Sequence, residues 1–231
     1  AAYARDESDA EPALPDAVIR VASTAEVAAV MKVASRRGVP VTPRAAGTGR
    51  SGGAVPAHGG WVMAFERFDA IEEVHSGDAV AVVRPGAVLA SVHDAVEAVG
   101  LFYPPDPNSL DSCTIGGNVA ENAGGPRAFK YGVTRDYVLG LEVVLADGRI
   151  LEIGRRTKKG VTGYDLCALM VGSEGTLALI TRATLHLVPK PAAVRTMVVF
   201  LASDRAMSDA VAVCLRERIV PRCVEVLDSI K

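Results

Sequence analysis

The segment from Gly47 to Gly60 constrains the fold of this chain more than any other. It begins Gly47-Thr48-Gly49-Arg50-Ser51-Gly52, which matches the pattern G-x-G-x-x-G of dinucleotide-binding Rossmann folds. In that fold a helix begins directly at the glycines, and an acidic residue follows about 20 positions later. Here Pro56, Gly59 and Gly60 come next, and a helix cannot be built over them. The segment therefore matches the pattern without predicting a Rossmann fold.

The same segment carries groups suited to binding an anion. Its glycines leave backbone N–H groups accessible, and Thr48 and Ser51 add hydroxyl donors. Arg44 and Arg50 flank it with positive charge. Consecutive free N–H groups of this kind form an anion-binding nest. From this segment alone, a glycine-rich turn without a ligand remains the alternative.

Two further segments have a similar character. Residues Cys113 to Gly125 carry paired glycines on both sides of a short apolar turn, and Gly172 to Thr176 forms another glycine-bearing loop. Thr114 or Asn118 is expected to cap a helical turn whose N–H groups face a phosphate. Three loops that offer backbone donors favour a long ligand with several polar sections, such as a dinucleotide.

The order of predicted elements is not a regular alternation of strands and helices. A capping box of Ser23 and Glu26 begins the first helix, and Gly38 ends it. Asp147-Gly148 predicts a hairpin turn. The other expected elements are strands at 39–42, 61–65, 79–84 and 177–187, hairpin strands at 137–145 and 149–153, helices at 87–99 and 164–170, and an irregular proline segment at 103–107. This order predicts an α+β domain with mixed or antiparallel sheets.

The helix at 87–99 is expected to bury one apolar stripe. Its members are Leu89, Val92, Val96 and Val99, and His93 is predicted among the solvated positions. The helix predicted at 164–170 is expected to have Asp165 as the cap at its start.

A second unit is predicted to begin near residue 192. It comprises a strand at 197–201, a helix at 204–218 and a strand at 224–227, which together are too few to bury a core. We therefore expect one domain at 1–191, the truncated beginning of a second at 192–231, and a natural protein longer than this chain.

Composition argues against several classes of protein. The net charge is −2, with 25 basic residues scattered along the chain, which disfavours nucleic-acid binding. The 4 cysteines form no C-x-x-C pair and the 4 histidines show no ligand spacing, so neither a disulfide framework nor a metal site is expected. No apolar run has the length of a transmembrane span, and no secretory signal is visible. A reducing, cytoplasmic location is the expectation.

The three glycine-bearing segments, in order and spacing, resemble the flavin-binding domain of vanillyl-alcohol-oxidase-type (PCMH-type) FAD enzymes. The resemblance is greatest to the branch with the FAD-binding subunit of glycolate oxidase and the FAD-linked D-lactate and D-2-hydroxyglutarate dehydrogenases. It covers residues 3–231, and its other matching stretches are 104–107, 130–137, 163–166 and 189–191. It implies two packed subdomains with mixed sheets, followed by the start of an α+β substrate (cap) domain.

The resemblance also implies which residues hold FAD. The pyrophosphate loop would comprise Pro43, Arg44, Ala46, Gly47, Thr48, Gly49, Ser51 and Gly52. The flavin and ribityl portion would lie along Pro105, Asp106 and Ser109. The opposite wall would comprise Thr114, Gly116, Gly117, Asn118, Asn122, Gly124 and Gly132. Glu174 and Gly175 would lie near the adenine–ribose end, and Ile180 against a ring.

Two positions depart from the family pattern. Ala46 stands where a glycine is usual, which is tolerable if its φ is negative. Thr48 stands where relatives that bind their flavin covalently have a histidine, so non-covalent FAD is expected.

The implied activity is FAD-dependent oxidation of a 2-hydroxy acid of the glycolate or D-lactate type. Electrons would pass to a partner subunit or to quinone, which allows for peripheral membrane association. No catalytic residue is assigned, because the family takes its substrate-binding arginine and histidine cluster from the second domain. The alternatives are a non-catalytic FAD-binding accessory subunit and an enzyme of the same fold that acts on another alcohol or an amine.

Overall fold

The computed structural model describes residues 2–227, and it shows an α+β fold with two main sheets. Its strands are β1 (Ala17–Arg20), β2 (Val41–Arg44), β3 (Trp61–Ala64), β4 (Ile71–His75), β5 (Val80–Val83), β6 (Leu101–Phe102), β7 (Val138–Val144), β8 (Ile150–Gly154), β9 (Leu179–His186) and β10 (Val188–Pro189). Its helices are α1 (Thr24–Arg37), α2 (Leu89–Glu97), α3 (Ile115–Glu121), α4 (Ala128–Tyr131), α5 (Leu166–Met170) and α6 (Asp204–Arg216), with a 3-10 turn at Thr134–Tyr137. The predicted fold class is confirmed.

The two main sheets differ in strand direction. The smaller has the order β1-β3-β2 and is parallel, with Ala17 and Val41 both paired to Trp61. The larger has the order β4-β5-β9-β7-β8, and all its pairs are antiparallel. The strands β1 and β4 were not predicted from the sequence.

Two apolar clusters hold these elements. In the larger, side chains of α2 and α3 pack on one face of the five-stranded sheet, around residues such as Leu89, Ile115 and Leu185. In the smaller, Val27 of α1 and Met63 of β3 pack with Val144 of β7. Because the second cluster contains residues of both sheets, it joins the two halves of the fold.

The first helix begins and ends where the sequence predicts. The Ser23 hydroxyl accepts a bond of 3.2 Å from the Glu26 N–H, and Gly38 ends the helix with φ 64°. The second bond of the predicted capping box, to the Glu26 carboxylate, was wrong in its donor. The Glu26 carboxylate accepts from the N–H of Ala22, at 2.7 Å, one residue before the expected partner.

The predicted hairpin at Asp147-Gly148 forms with a longer connection than two residues. Leu145 and Arg149 close the loop through a backbone bond of 2.9 Å, and Gly148 has φ 81°. A three-residue loop with its glycine in the left-handed region is the next most common hairpin connection.

Two predictions for α2 were wrong. His93 has only 7% of its surface exposed, and its Nε2 lies 3.0 Å from the carbonyl oxygen of Pro105. Because this bond satisfies the ring, the histidine can lie inside the core beside Leu89 and Val96. Val99 is 46% exposed, since the helix ends at Glu97, before that position.

The segment after β10 contains one of its three predicted elements. Helix α6 forms, and the Ser203 hydroxyl accepts from the N–H of Ala206 at its start. The strands predicted at 197–201 and 224–227 do not form. A strand needs a hydrogen-bonded neighbour, and apolar residues there, such as Phe200 at 95% exposure, pack on no sheet edge.

None of the helices within residues 2–227 is long and apolar enough to cross a membrane.

Candidate functional site

A cavity of about 650 Å³ lies among the three glycine-bearing segments. Its walls are the loop after β2, the N-terminal part of α3 with the segment before it, and the turn before β9. The volume lies within the usual range for a binding pocket, about 300–1,000 Å³. The three segments that the sequence singled out therefore meet at one place.

The loop after β2 is shaped by a buried arginine. Arg44 lies behind Gly47, where an added Cβ would collide with its guanidinium. Its Nη1 donates to the carbonyl oxygen of Arg5 at 2.7 Å, and its guanidinium stacks on Tyr3 at 5.7 Å. Because these contacts hold the guanidinium, Arg44 supports the loop from behind. Ala46 does not adopt a positive φ, so its methyl group is tolerated.

Helix α3 and its N-cap residue present two buried donors that have no partner among the described residues. Thr114 and Asn118 are 6% and 3% exposed, and both line the cavity. Neither the Thr114 Oγ1 nor the Asn118 Nδ2 has a hydrogen-bond partner among the described residues. Thr114 occupies the N-cap position, one of the two alternatives predicted, but its side chain makes no cap bond, and Asn118 lies within the helix. Buried polar atoms are rarely left unpaired, which indicates that these two serve a ligand.

The same helix approaches the sheet region closely because of a glycine. A Cβ on Gly116 would lie 2.7 Å from the Cβ of Pro85. A larger residue at 116 would therefore push the two unpaired donors out of position.

The third segment contacts both of the others. The Glu174 carboxylate accepts from the Ser51 hydroxyl at 2.9 Å, and its backbone N–H donates to the carbonyl of Ala120 at 2.9 Å. Glu174 and Gly175 have φ 51° and 77°, and a Cβ on Gly175 would lie 2.5 Å from Cγ of Pro43. This turn closes the cavity by packing on the loop after β2.

Most of the residues expected to hold a cofactor line this cavity. They are Pro43, Arg44, Ala46, Gly47, Thr48, Gly49, Ser109, Thr114, Gly116, Gly117, Asn118, Glu174, Gly175 and Ile180. Seven others lie outside its lining, and they are Ser51, Gly52, Pro105, Asp106, Asn122, Gly124 and Gly132.

The contacts of these outer residues show what they do in the fold. Asn122 ends α3 with φ 52° and accepts from the N–H of Arg135 at 2.9 Å. A Cβ on Gly132 would touch the Asp136 carboxylate, and one on Gly124 would lie 3.3 Å from Val133. They support the turn that follows α3.

The irregular proline segment at 103–107 is held in place by contacts with Arg127 and His93. Asp106 accepts the backbone N–H of Arg127 at 3.0 Å and pairs with its Nε at 2.9 Å. Burial raises the pKa of Asp106, and Arg127 counteracts part of that rise. His93 contacts the carbonyl of Pro105, and burial lowers the pKa of its ring. These contacts fix the segment that brings Pro107 and Ser109 to the cavity wall.

The other lining residues were not among those expected to hold the cofactor, although Arg50 was expected to add positive charge to the loop. They are Glu7, Ala45, Arg50, Gly53, Ala54, Phe65, Pro85, Pro107, Asn108, Ser112, Cys113, Ala120, Glu121, Ala123, Ala178 and Leu179. Glu121 could have been found, because it lies one helical turn beyond Gly117 on the same face. Glu7 carried no signal, since it reaches the cavity only because its N–H bonds to the carbonyl of Gly49 at 3.0 Å.

The lining also bears on covalent attachment. No histidine lines the cavity within the described chain, and His58 is exposed outside it. Cys113 does line the cavity, but burial raises the pKa of its thiol, which keeps it in the less reactive protonated form.

Comparison with known proteins agrees with this geometry. The family model described as FAD binding domain matches residues 15–154. The chain is 44% identical over 227 residues to the glycolate oxidase subunit GlcD of Bacillus subtilis, covering 98% of this chain and 48% of that protein. It is 42% identical over 214 residues to a D-lactate dehydrogenase of Archaeoglobus fulgidus, covering 92% and 47%. A D-2-hydroxyglutarate dehydrogenase of Xanthomonas citri pv. viticola is 41% identical over 201 residues, covering 87% and 43%.

The fold agrees as well. A solved structure of alkyldihydroxyacetonephosphate synthase matches with a TM-score of 0.66 at 23% identity, over 76% of this chain and 32% of that one. The chain spans about half the length of the curated relatives it matches. The cavity fits a dinucleotide, because glycine-rich backbone and two unpaired buried donors face it from opposite walls. The chain therefore belongs to the PCMH-type FAD-binding domain family of FAD-linked oxidoreductases, and its cofactor is FAD.

Proposed function

We propose that this chain supplies the FAD-binding part of an enzyme that oxidises a 2-hydroxy acid of the glycolate or D-lactate type. The observation that carries the proposal is the pair of unpaired donors on α3, Thr114 Oγ1 and Asn118 Nδ2, which face the glycine loop across the cavity. The named relatives that act on glycolate, D-lactate and D-2-hydroxyglutarate support this substrate class.

In this proposal the residues of the chain bind and orient the cofactor. The loop at 43–53 would hold the pyrophosphate through backbone N–H groups, and Thr114 and Asn118 would donate from the opposite wall. The cofactor held by these residues would supply the hydride acceptor for oxidation of the substrate's carbinol carbon, and a base would take the proton of the substrate's hydroxyl group. The protein would exclude water from the cavity with Phe65, Leu179 and Ile180.

The substrate-binding residues are assigned to a second domain that begins at residue 192. Helix α6 supports this, since in the described structure it has no buried residue and its Val213 and Leu215 are 44% and 50% exposed. The base and the carboxylate-binding arginine would lie in that domain. The enzyme would be cytoplasmic or peripherally membrane-associated, and a partner subunit or quinone would receive the electrons.

The cofactor is proposed to be bound without a covalent bond, since Thr48 occupies the position of the tethering histidine. Acid precipitation of the purified protein should leave a yellow supernatant that contains intact FAD. Flavin that stays with the precipitate would contradict non-covalent binding. A colourless protein that FAD does not reconstitute would contradict the proposed function.

Anaerobic flavin bleaching by a panel of 2-hydroxy acids tests the activity. The full-length protein should be reduced by glycolate, D-lactate or D-2-hydroxyglutarate. If no 2-hydroxy acid reduces a flavin-loaded protein, the accessory-subunit alternative is supported. Reduction of the flavin by simple alcohols or amines alone would instead indicate an enzyme of the same fold that acts on another class of substrate.

A further inference from the structure

Glu121 is a charged side chain in the cavity that has no cationic partner among the described residues. It is the last residue of α3 and lines the cavity together with Gly117, one helical turn earlier. Its Oε1 lies against Gly49, where it would collide with a Cβ added at that position. The carboxylate therefore reaches across the cavity to the middle of the glycine loop.

The surroundings of this carboxylate are acidic. The groups that face it are Glu174, from the turn before β9, and Asp6, from the N-terminal segment. Glu7 lines the same cavity, and Arg44 and Arg50 belong to the opposite loop. Within residues 2–227 no lysine or arginine forms an ion pair with Glu121.

Both basic groups of the loop are directed elsewhere. Arg44 bonds to the carbonyl of Arg5 and stacks on Tyr3, and Arg50 is exposed. Glu174 is bonded to the Ser51 hydroxyl, so its carboxylate is compensated in part, while no such donor within residues 2–227 reaches Glu121. Glu121 is thus the cavity carboxylate least able to remain charged beside a second anion.

We propose that Glu121 makes dinucleotide binding dependent on protons, with its carboxyl taking up a proton when a pyrophosphate enters the cavity. This inference rests on the proposed role of the glycine loop in holding FAD. Without a ligand, the side chain is only partly buried and still contacts water in the open cavity. A ligand that fills the cavity removes that water and adds negative charge, and both effects disfavour the ionised carboxylate.

The pKa of Glu121 is already raised in the protein, by its partial burial and then by Glu174 and Asp6. A ligand pyrophosphate would raise that pKa further. Because the bound form then carries one more proton than the free form, FAD affinity falls as pH rises through the interval between the two pKa values. Because binding is linked to the uptake of one proton, FAD affinity can change by at most about tenfold per pH unit.

The experiment is a fluorescence titration of full-length apoprotein with FAD at pH values from 5.5 to 8. Wild-type affinity should fall several-fold or more over this range. Glu121→Gln replaces the carboxyl by a neutral group of the same shape, so its affinity should be nearly independent of pH and higher than wild type at pH 8. In Glu121→Ala the affinity should also become independent of pH. Agreement between the two variants would show that the result does not come from the glutamine amide itself.

A variant with the same loss of charge away from the cavity serves as the control. Glu217→Gln lies at the exposed end of α6 and should keep the wild-type slope. Far-ultraviolet circular dichroism establishes that each variant is folded.

The outcomes separate this inference from the proposed function. Equal slopes in wild type and Glu121→Gln overturn the inference while FAD binding itself stands. Weaker binding by Glu121→Gln at every pH, with wild-type affinity that falls in acid, also overturns it, since the carboxylate would then be accepting a hydrogen bond from the ligand. No FAD binding at any pH contradicts the proposed function.

Discussion

The Ser51 hydroxyl donates a hydrogen bond of 2.9 Å to the Glu174 carboxylate, although 123 residues separate the two in sequence. The bond joins the loop after β2 to the turn before β9 at the rim of the cavity. The same two segments meet again where Gly175 packs on Pro43. The cavity is therefore closed by contacts between parts of the chain that are far apart in sequence.

Removal of this bond should weaken cofactor binding more than it weakens the fold. Ser51 is exposed, and a hydrogen bond of this kind contributes about 0.5–1.5 kcal/mol. Ser51→Ala should raise the Kd for FAD by about two- to tenfold, as measured by flavin fluorescence. Thr157→Val removes a similar exposed hydroxyl bond, 2.9 Å to Lys159, away from the cavity, and should leave the Kd unchanged. Equal effects of the two variants would show that the rim bond is unrelated to binding.

A pair of glycines distinguishes backbone strain from close packing. Gly175 and Gly163 have φ 77° and 80°, so alanine at either position costs about 1–2 kcal/mol. Only at Gly175 would the added methyl also meet the ring of Pro43, since nothing lies within 4 Å at Gly163. In urea unfolding, Gly175→Ala should lower the free energy of unfolding by about 1–3 kcal/mol more than Gly163→Ala does. Similar losses of stability in the two variants would mean that the Pro43 ring moves to make room for the methyl group.

The parts of the fold that the sequence predicted are those with local signals. Helix α1 has its cap at Ser23 and its stop at Gly38, and the hairpin has Asp147-Gly148. Strands β1 and β4 lacked such signals, because a short strand is defined by a partner that is remote in sequence. The strands expected at 197–201 and 224–227 were wrong for the same reason, since their apolar pattern does not supply a partner.

The site shows the same division. The glycine segments were predicted because glycine marks a backbone that must approach something closely. His93 was wrongly predicted at the surface, because its burial depends on a hydrogen bond with the carbonyl oxygen of Pro105. Pro105 lies in an irregular segment whose position the local sequence does not indicate. Glu7 depends on an N-terminal segment that folds back over the loop, which no local pattern indicates.

The unpaired hydroxyl of Thr114 should matter for binding and not for folding. Thr114→Val keeps the shape and removes a buried donor that has no protein partner, so the stability of the apoprotein should stay the same or rise. FAD affinity should fall by about 10- to 160-fold, because a hydrogen bond to a charged group contributes about 1.5–3 kcal/mol. Thermal unfolding and FAD titration measure the two effects separately.

A matched control exists at Thr181. Its hydroxyl is fully buried and bonds to Glu142 Oε1 at 2.9 Å. Thr181→Val should therefore cost about 1–3 kcal/mol of stability and leave FAD affinity unchanged. If Thr114→Val instead destabilises the apoprotein as much as Thr181→Val does, the Thr114 hydroxyl has a structural role.

The carboxylate of Glu142 should contribute to acid sensitivity. Burial pushes its pKa up, but hydrogen bonds from Thr24 and Thr181, with Arg182 and Arg84 nearby, bring the pKa below its ordinary value of 4.5. A group with a depressed pKa stabilises the fold above its unfolded pKa, and that contribution is lost as pH falls through the folded value. Glu142→Gln should therefore lower the unfolding temperature at pH 7.

The difference between wild type and Glu142→Gln should shrink as the pH is lowered below about 4.5, because the wild-type carboxyl then becomes protonated as well. Glu152→Gln serves as the control, since Glu152 is 72% exposed and also pairs with Arg182. An exposed pair contributes at most about 1 kcal/mol, so this variant should follow the wild type at both pH values. A pH-independent gap between wild type and Glu142→Gln would show that the glutamine loses hydrogen-bond geometry and not charge.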